Sequence, residues 1–247
     1  AAELCRLGAR VLVCGRTPAT LEAAVGAIEA ESGPGRAFSA VCDVRDPAAV
    51  EAMVDTAEDV LGAVDGLVNN ASGLFPVRAE NLSPNGFSAV VRTVLDGTFH
   101  CTSALARRWL ASGRPGSVVN ILTPYAWTGG PGFAHTAAAK GAVLNLTRTL
   151  GVEWAARGVR VNAVAPGWMP VGGTETLAAD PETRRRLLAS IPAGRFGRPE
   201  EVARAVAYLL SDDAAYITGA CLTVDGGHHL SKGLLEFGDM AHEARGG

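Results

Sequence analysis

Lysine is nearly absent from this chain: of 22 basic residues only Lys140 and Lys232 are lysines, and the rest are arginines. Cysteine is sparse as well. Cys5, Cys14, Cys42, Cys101 and Cys221 are odd in number, scattered and without a CxxC pair. They read as reduced core thiols in a cytoplasmic protein rather than as disulfide partners or metal ligands. No apolar run approaches the ~20 residues of a membrane-spanning helix, and the expectation from the first residues is that there is no signal peptide. Charge of one sign is missing too. A net charge of −3 offers neither a basic face for nucleic acid nor a disordered acidic tail. There is no initiator methionine, since the chain starts Ala1-Ala2-Glu3, and the expectation is a segment cut from a longer reading frame.

What is present is 247 residues, 48% of them hydrophobic, enough to bury the core of one large α/β domain or two small ones. Short β-rich apolar runs alternate with longer amphipathic stretches, the pattern of βα units on a parallel sheet. Strands are predicted at Ala9–Cys14, Ala37–Cys42, Gly66–Asn69, Ser117–Leu122, Val159–Val164 and Cys221–Val224. Helices are predicted over Pro18–Glu31, Asp46–Leu61, Ser83–Ser112, Ala134–Ala156 and Pro199–Leu210. No repeat or interdomain linker interrupts them, so residues 1–247 read as a single domain. The Gly-, Thr- and Pro-rich stretch from Pro166 to about Pro181 follows a strand, where open α/β sheets place ligand-contacting loops.

Residues 1–8 read as the end of a helix feeding a strand. In a dinucleotide-binding fold that helix follows a first strand and a glycine-rich turn whose amides hold pyrophosphate. Neither precedes it here. Gly129-Gly130-Pro131-Gly132 contains proline at the wrong spacing and does not read as a phosphate loop. A protein that began at Ala1 is expected to be an inactive fragment, unable to hold the cofactor.

Several short motifs carry chemistry. Asn69-Asn70-Ala71 closes a short strand, where amides can bond strand ends and Ala71 allows close backbone approach. Lys140 sits among alanines in HTAAAKGAV. A buried ammonium there is costly unless paired or coordinated; the alternative is a lysine whose head reaches solvent. Val161–Gly167 is a strand ending in Pro-Gly, and Val224-Asp225-Gly226-Gly227 closes the last strand. Taken in order with the VVNI strand, GRFGRPEEVA and ITG, these residues resemble the short-chain dehydrogenase/reductase family over essentially the whole chain. The resemblance implies a Rossmann-type, doubly wound α/β sheet of seven parallel strands, here lacking its first strand and glycine-rich loop.

One departure narrows the function. The family's usual YxxxK tyrosine position holds Thr136, with His135 before it, and a threonine hydroxyl is too weak an acid to replace a phenol. Tyr125, however, stands fifteen residues before Lys140. This is similar to the bacterial 2,4-dienoyl-CoA reductase branch, in which the active tyrosine occupies the upstream loop and a hydroxyl residue fills the usual slot. LSPNGF, LDGTF and VDGGHHL also resemble that branch. The resemblance implies that NADPH delivers hydride to the δ-carbon of a 2,4-dienoyl thioester in fatty acid β-oxidation. Tyr125 would hydrogen-bond the resulting dienolate oxygen. Lys140 would hold the nicotinamide ribose and lower the tyrosine pKa, and Thr136 would support them. A proton returned to the α-carbon would give a 3-enoyl-CoA. The bland reading of Tyr125 is a loop aromatic packed under Trp127.

The branch's NNAAGNF is replaced by Asn69-Asn70-Ala71-Ser72-Gly73-Leu74-Phe75. Leu74 thus stands where an amide would meet the thioester, which leaves a carbonyl reductase or alcohol dehydrogenase as the alternative. Phe75 and Ser83 match the branch's acyl-site positions, and Thr123, at the strand end before Tyr125, is also expected at the substrate. For the cofactor, Gly15 stands where NAD-preferring members carry an acid. With Arg16 next, the site suits the 2′-phosphate of NADP(H). Asp43 resembles the adenine-contacting acid or else is a strand-end cap. Pro166, Gly167 and Met169 would close over the carboxamide. The expected partners are a small acyl-CoA substrate and, by resemblance alone, further copies of the chain in a homotetramer.

Overall fold

Five helices open on proline, whose fixed φ suits a helix's first position and whose missing N–H is no loss there. These five set the punctuation of the chain. In the computed structural model, which describes residues 1–171 and 179–231, the order is α1 (Ala2–Arg6), β1 (Val11–Gly15), α2 (Pro18–Ser32), β2 (Ala37–Val41), α3 (Pro47–Leu61), β3 (Gly66–Asn69), α4 (Pro84–Val91), α5 (Gly97–Ser112), β4 (Gly116–Ile121), α6 (Tyr125–Thr128), α7 (Ala134–Trp154), β5 (Val159–Pro166), α8 (Pro181–Ala189), α9 (Pro199–Leu210) and β6 (Cys221–Val224). The proline-led helices are α2, α3, α4, α8 and α9. Asp46, Ser83 and Asp180 cap three of them by accepting from backbone N–H groups, which satisfies otherwise orphaned donors.

All strands pair in parallel, β1 with β2 and β3–β4–β5–β6 in that order. Among the described residues β1 and β3 share no ladder, so the strands form two sheets of the Rossmann-type α/β class rather than one. A single apolar cluster nevertheless joins them. Leu12 and Ala40 of the first sheet pack with Val50 and Val54 of α3, Leu105 of α5, and Val118 and Val161 of the second sheet.

The period-two alternation of a strand divides β4 between the two layers. Val118 belongs to the cluster beneath α3 and α5, whereas Val119 packs with Val206 and Leu209 of α9 on the opposite face. Arg160 of β5 fixes α9 at its far end, donating to the carbonyl oxygens of Leu209 at 2.8 Å and Ser211 at 3.1 Å. It meets those of Leu210 and Ile217 at 3.3 and 3.4 Å.

The predicted helix Ser83–Ser112 is not continuous. A wider turn at Arg92–Asp96 separates α4 from α5, a kind of bulge frequent at functional sites. The first strand lies at Val11–Gly15, two residues inside its expected start. Short α6 and α8 were not predicted, because neither carries enough turns for a hydrophobic period to register. The five cysteines are unpaired. Cys5, Cys42 and Cys101 are buried as expected, but Cys14 is exposed on β1. Among the described residues no helix is long and apolar enough to cross a membrane.

Candidate active site

The chain turns sharply after β4, and that turn sets Tyr125 at the start of α6, facing α7. The ring stacks on Phe133 with centroids 5.7 Å apart at 14°, not under Trp127. Gly130 lies flat against it: a Cβ there would come within 2.7 Å of the ring. Among the described residues the Tyr125 hydroxyl has no hydrogen-bond partner, and the side chain lines a cleft of about 330 Å3.

Lys140 lines the same cleft from the buried face of α7, with 4% of its surface exposed. The solvent-reaching alternative is therefore overturned. Its ammonium donates to the carbonyl oxygen of Ile121 at the end of β4. Burial pushes its pKa down to about 8 from 10.5. One turn earlier Thr136, also buried, donates to the Gly73 carbonyl at 3.2 Å.

The expected lowering of the tyrosine pKa by Lys140 is not found. Burial pushes the Tyr125 phenol up, because desolvation penalises the phenolate and the ammonium is engaged with Ile121.

Beneath these residues runs a chain of buried amides. Asn69 and Asn120 are partners in the β3–β4 register, so their side chains emerge side by side. Asn69 Nδ2 meets Asn120 Oδ1 and Thr102 Oγ1, each at 2.8 Å. Asn120 Nδ2 donates in turn to Thr147 Oγ1 of α7 at 2.9 Å. Asn69 is thus spent on the interior and does not line the cleft, in contrast to its expected cofactor-facing role.

The opposite wall comes from the ends of β5 and β6. Pro166, Gly167 and Met169 line it. Gly167 is obligatory, since a Cβ would lie 2.6 Å from Asp225 Cα. Asp225 in turn holds the segment that follows. Its Oδ1 accepts from the Gly227 N–H at 2.9 Å. Its Oδ2 accepts from the His229 N–H at 2.8 Å and meets His229 Nδ1 at 2.7 Å. Burial raises the Asp225 pKa, but these hydrogen bonds outweigh it and leave the pKa below its ordinary value. His229 lines the cleft and packs edge-on to Trp127 of α6 at 5.5 Å.

The remaining predicted residues lie outside this wall. Arg16 is exposed just beyond β1, near enough to Asp43 to favour its charge. Asp43 is bound chiefly to Arg45, at 2.5–3.0 Å, and that partner holds its pKa at about 2. Its carboxylate therefore serves a local ion pair. An exposed arginine at a strand's carboxyl end, beside a glycine, fits a phosphate-bearing cofactor. Ala71 is exposed. The expected acyl-site Ser83 is the N-cap of α4, its hydroxyl accepting from Gly86 N–H at 3.1 Å. Phe75 packs edge-on to His135 at 4.4 Å rather than facing the cleft. Leu74 and Thr123 do line it, and Leu74 is half exposed there. Residues 172–178 of the Pro166–Pro181 loop, and 232–247 with Lys232, lie outside the described residues.

Two features were not anticipated from the sequence. His135 is fully buried, neither ring nitrogen has a hydrogen-bond partner among the described residues, and burial lowers its pKa. The pairing of His229 with Asp225 had a visible signal, a histidine four residues after an acid at the end of a strand.

The fold has counterparts in known proteins. A family model described as Enoyl-(Acyl carrier protein) reductase matches residues 1–229. The chain is 44% identical over 227 residues, 91% of its length and 89% of the relative's, to a Bacillus subtilis (strain 168) protein named as a probable 2,4-dienoyl-CoA reductase producing (2E)-enoyl-CoA. A crystal structure of a short chain dehydrogenase from Bacillus anthracis superimposes with a TM-score of 0.85 at 42% identity, covering 94% of this chain and 91% of that one. A gluconate 5-dehydrogenase from Burkholderia cenocepacia J2315, solved with NADP and tartrate, gives 0.84 at 32% identity, covering 91% of this chain and 87% of that one.

Proposed function

Since the chain belongs to the short-chain dehydrogenase/reductase family of oxidoreductases, we propose that it reduces a 2,4-dienoyl-CoA to an enoyl-CoA with NADPH. The observation that carries this reading is that Tyr125, whose hydroxyl has no hydrogen-bond partner among the described residues, lines one cleft with buried Lys140, while threonine occupies the family's usual tyrosine position. The 44% identity to a relative named for the same reaction supports it. Exposed Arg16 after β1 supports NADPH over NADH, since a guanidinium pairs well with a 2′-phosphate. So does the NADP held by a similar solved structure.

When bound, NADPH supplies the hydride that enters the δ-carbon of the dienoyl group. This chain's residues then manage charge. Tyr125 donates a hydrogen bond to the thioester oxygen as negative charge gathers there, a contact stronger in the transition state than in the ground state. Its raised pKa keeps the phenol protonated for that purpose. Lys140, whose ammonium donates to the Ile121 carbonyl, would hold the nicotinamide ribose, and Thr136 keeps the Gly73 loop against α7. The apolar residues lining the cleft exclude water, which strengthens each of these contacts. The proton that completes the reaction enters the α-carbon to give a 3-enoyl-CoA or the γ-carbon to give a 2-enoyl-CoA. Assembly of copies into a tetramer belongs to the same proposal.

A ketone or alcohol substrate is the second reading, and it is favoured by one observation: half-exposed Leu74 presents an apolar wall where an amide would meet a thioester. NADPH oxidation measured with a 2,4-dienoyl-CoA and with simple ketones separates the two. We expect a kcat/KM at least 100-fold higher on the thioester, and a preference for ketones would overturn the reductase reading.

A further inference from the structure

The pairing of Asp225 with His229 is not absorbed by the Tyr125–Lys140 chemistry, yet it faces the same cleft. A carboxylate only accepts hydrogen bonds, so the 2.7 Å contact requires that His229 Nδ1 carry a hydrogen. That fixes the ring: Nε2 is the nitrogen left to exchange a proton, and among the described residues it has no hydrogen-bond partner. Asp225 is itself immobilised. Its side chain is 4% exposed, its backbone lies against Gly167, and its oxygens also hold the N–H groups of Gly227 and His229. The left-handed glycines Gly226 (φ 64°) and Gly227 (φ 85°) turn the chain so that a residue four positions on can return to its carboxylate. The ring then rests against Trp127, on the same helical turn that begins with Tyr125. A histidine oriented by a buried acid, in a cleft that also holds a phenol and an ammonium, is the arrangement of a group that moves protons.

Resting on the dienoyl-CoA reductase reading, we infer that His229, oriented by Asp225, is the catalytic acid that donates the proton completing the reduction. The step balances. Hydride from the dihydronicotinamide has reduced the diene to a dienolate, and the nicotinamide is oxidised. The Nε2–H bond of the His229 imidazolium breaks as the electron pair of the dienolate forms a C–H bond at carbon. His229 is left neutral with Nδ1–H still on Asp225, and solvent returns the proton to Nε2 after product leaves.

The test uses the full chain with NADPH and a 2,4-dienoyl-CoA. For His229→Asn we expect kcat to fall about 100-fold, the usual scale of a lost general acid. The solvent deuterium isotope effect on kcat should rise, with the KM values for both substrates changed less than threefold. For His229→Ala, imidazole in the buffer should restore part of the turnover, which a packing role cannot imitate. Unchanged kcat and isotope effect in His229→Asn overturn the inference. So does a loss that imidazole leaves unrescued while NADPH affinity falls with it. Wild-type chain that fails to reduce the dienoyl thioester sinks the reductase reading and this inference together. Wild-type turnover beside an unimpaired His229→Asn sinks this inference alone.

Discussion

The ammonium of Lys140 is bonded to the carbonyl oxygen of Ile121, so the one described lysine ties the second turn of α7 to the end of β4. A cation so placed has little solvent to support it, and burial brings its pKa to about 8 from 10.5. The folded chain releases this proton near pH 8, while the unfolded chain keeps it to about pH 10.5. Between those values the unfolded state binds more protons, so stability rises with pH across the window and levels off above it.

Lys140→Met should therefore stabilise the chain at pH 7 by roughly 1–3 kcal/mol, the desolvation relieved less the bond lost. Urea unfolding at pH 7 and pH 10 checks this. The wild type should gain stability from the rise in pH, and the variant should not. Turnover of the variant should fall at least 100-fold.

Tyr125→Phe should unfold at the same denaturant concentration as the wild type within about 0.5 kcal/mol. The stacking on Phe133 survives the change, and the hydroxyl has no bond to lose among the described residues. Turnover of the thioester should nevertheless drop by about 100–1,000-fold, as when a donor to a developing oxyanion is removed. NADPH affinity, read by fluorescence titration, should stay within twofold. Wild-type turnover would remove Tyr125 from the mechanism.

Arg16→Ala tests the cofactor. Loss of a guanidinium–phosphate pair should weaken NADPH at least tenfold and leave NADH nearly unchanged, so the ratio of the two affinities is the quantity to measure. An unchanged ratio would place the 2′-phosphate elsewhere.

Arg160→Met addresses stability away from the cleft. It strips the carbonyl oxygens at the end of α9 of their shared donor, and we expect a cost of about 2–4 kcal/mol by urea unfolding. Arg160→Lys should recover only part, since a point charge cannot reach those oxygens in the planar fork of a guanidinium.

Much of the fold is legible in the sequence. Gly66–Asn69 and Cys221–Val224 fall at their predicted bounds because short strands read as apolar runs between turn residues. Lys140 was identifiable because a lone lysine among alanines is conspicuous in an arginine-rich chain. The missed features are three-dimensional. That Ser83 caps α4 depends on the helix beginning at Pro84. The wider turn at Arg92–Asp96 leaves no mark on hydrophobic spacing. Asp43 reads from the sequence as an adenine-contacting acid or a strand-end cap, and its ion pair with Arg45, two residues on, leaves no mark in the motif. Asn69 and Asn120 are 51 positions apart in sequence, and only the strand register makes them neighbours.

That amide chain carries a consequence for motion. Asn69, Asn120, Thr102 and Thr147 bridge two adjacent strands and two helices by side-chain contacts alone, so none of the four can rotate without stranding a buried polar atom. The platform beneath the reacting groups should open only with global unfolding, and the backbone amides of β4 should rank among the slowest in the protein to exchange with deuterium. Substrates would then be accommodated by adjustment of the cleft's upper wall, over a base that does not yield.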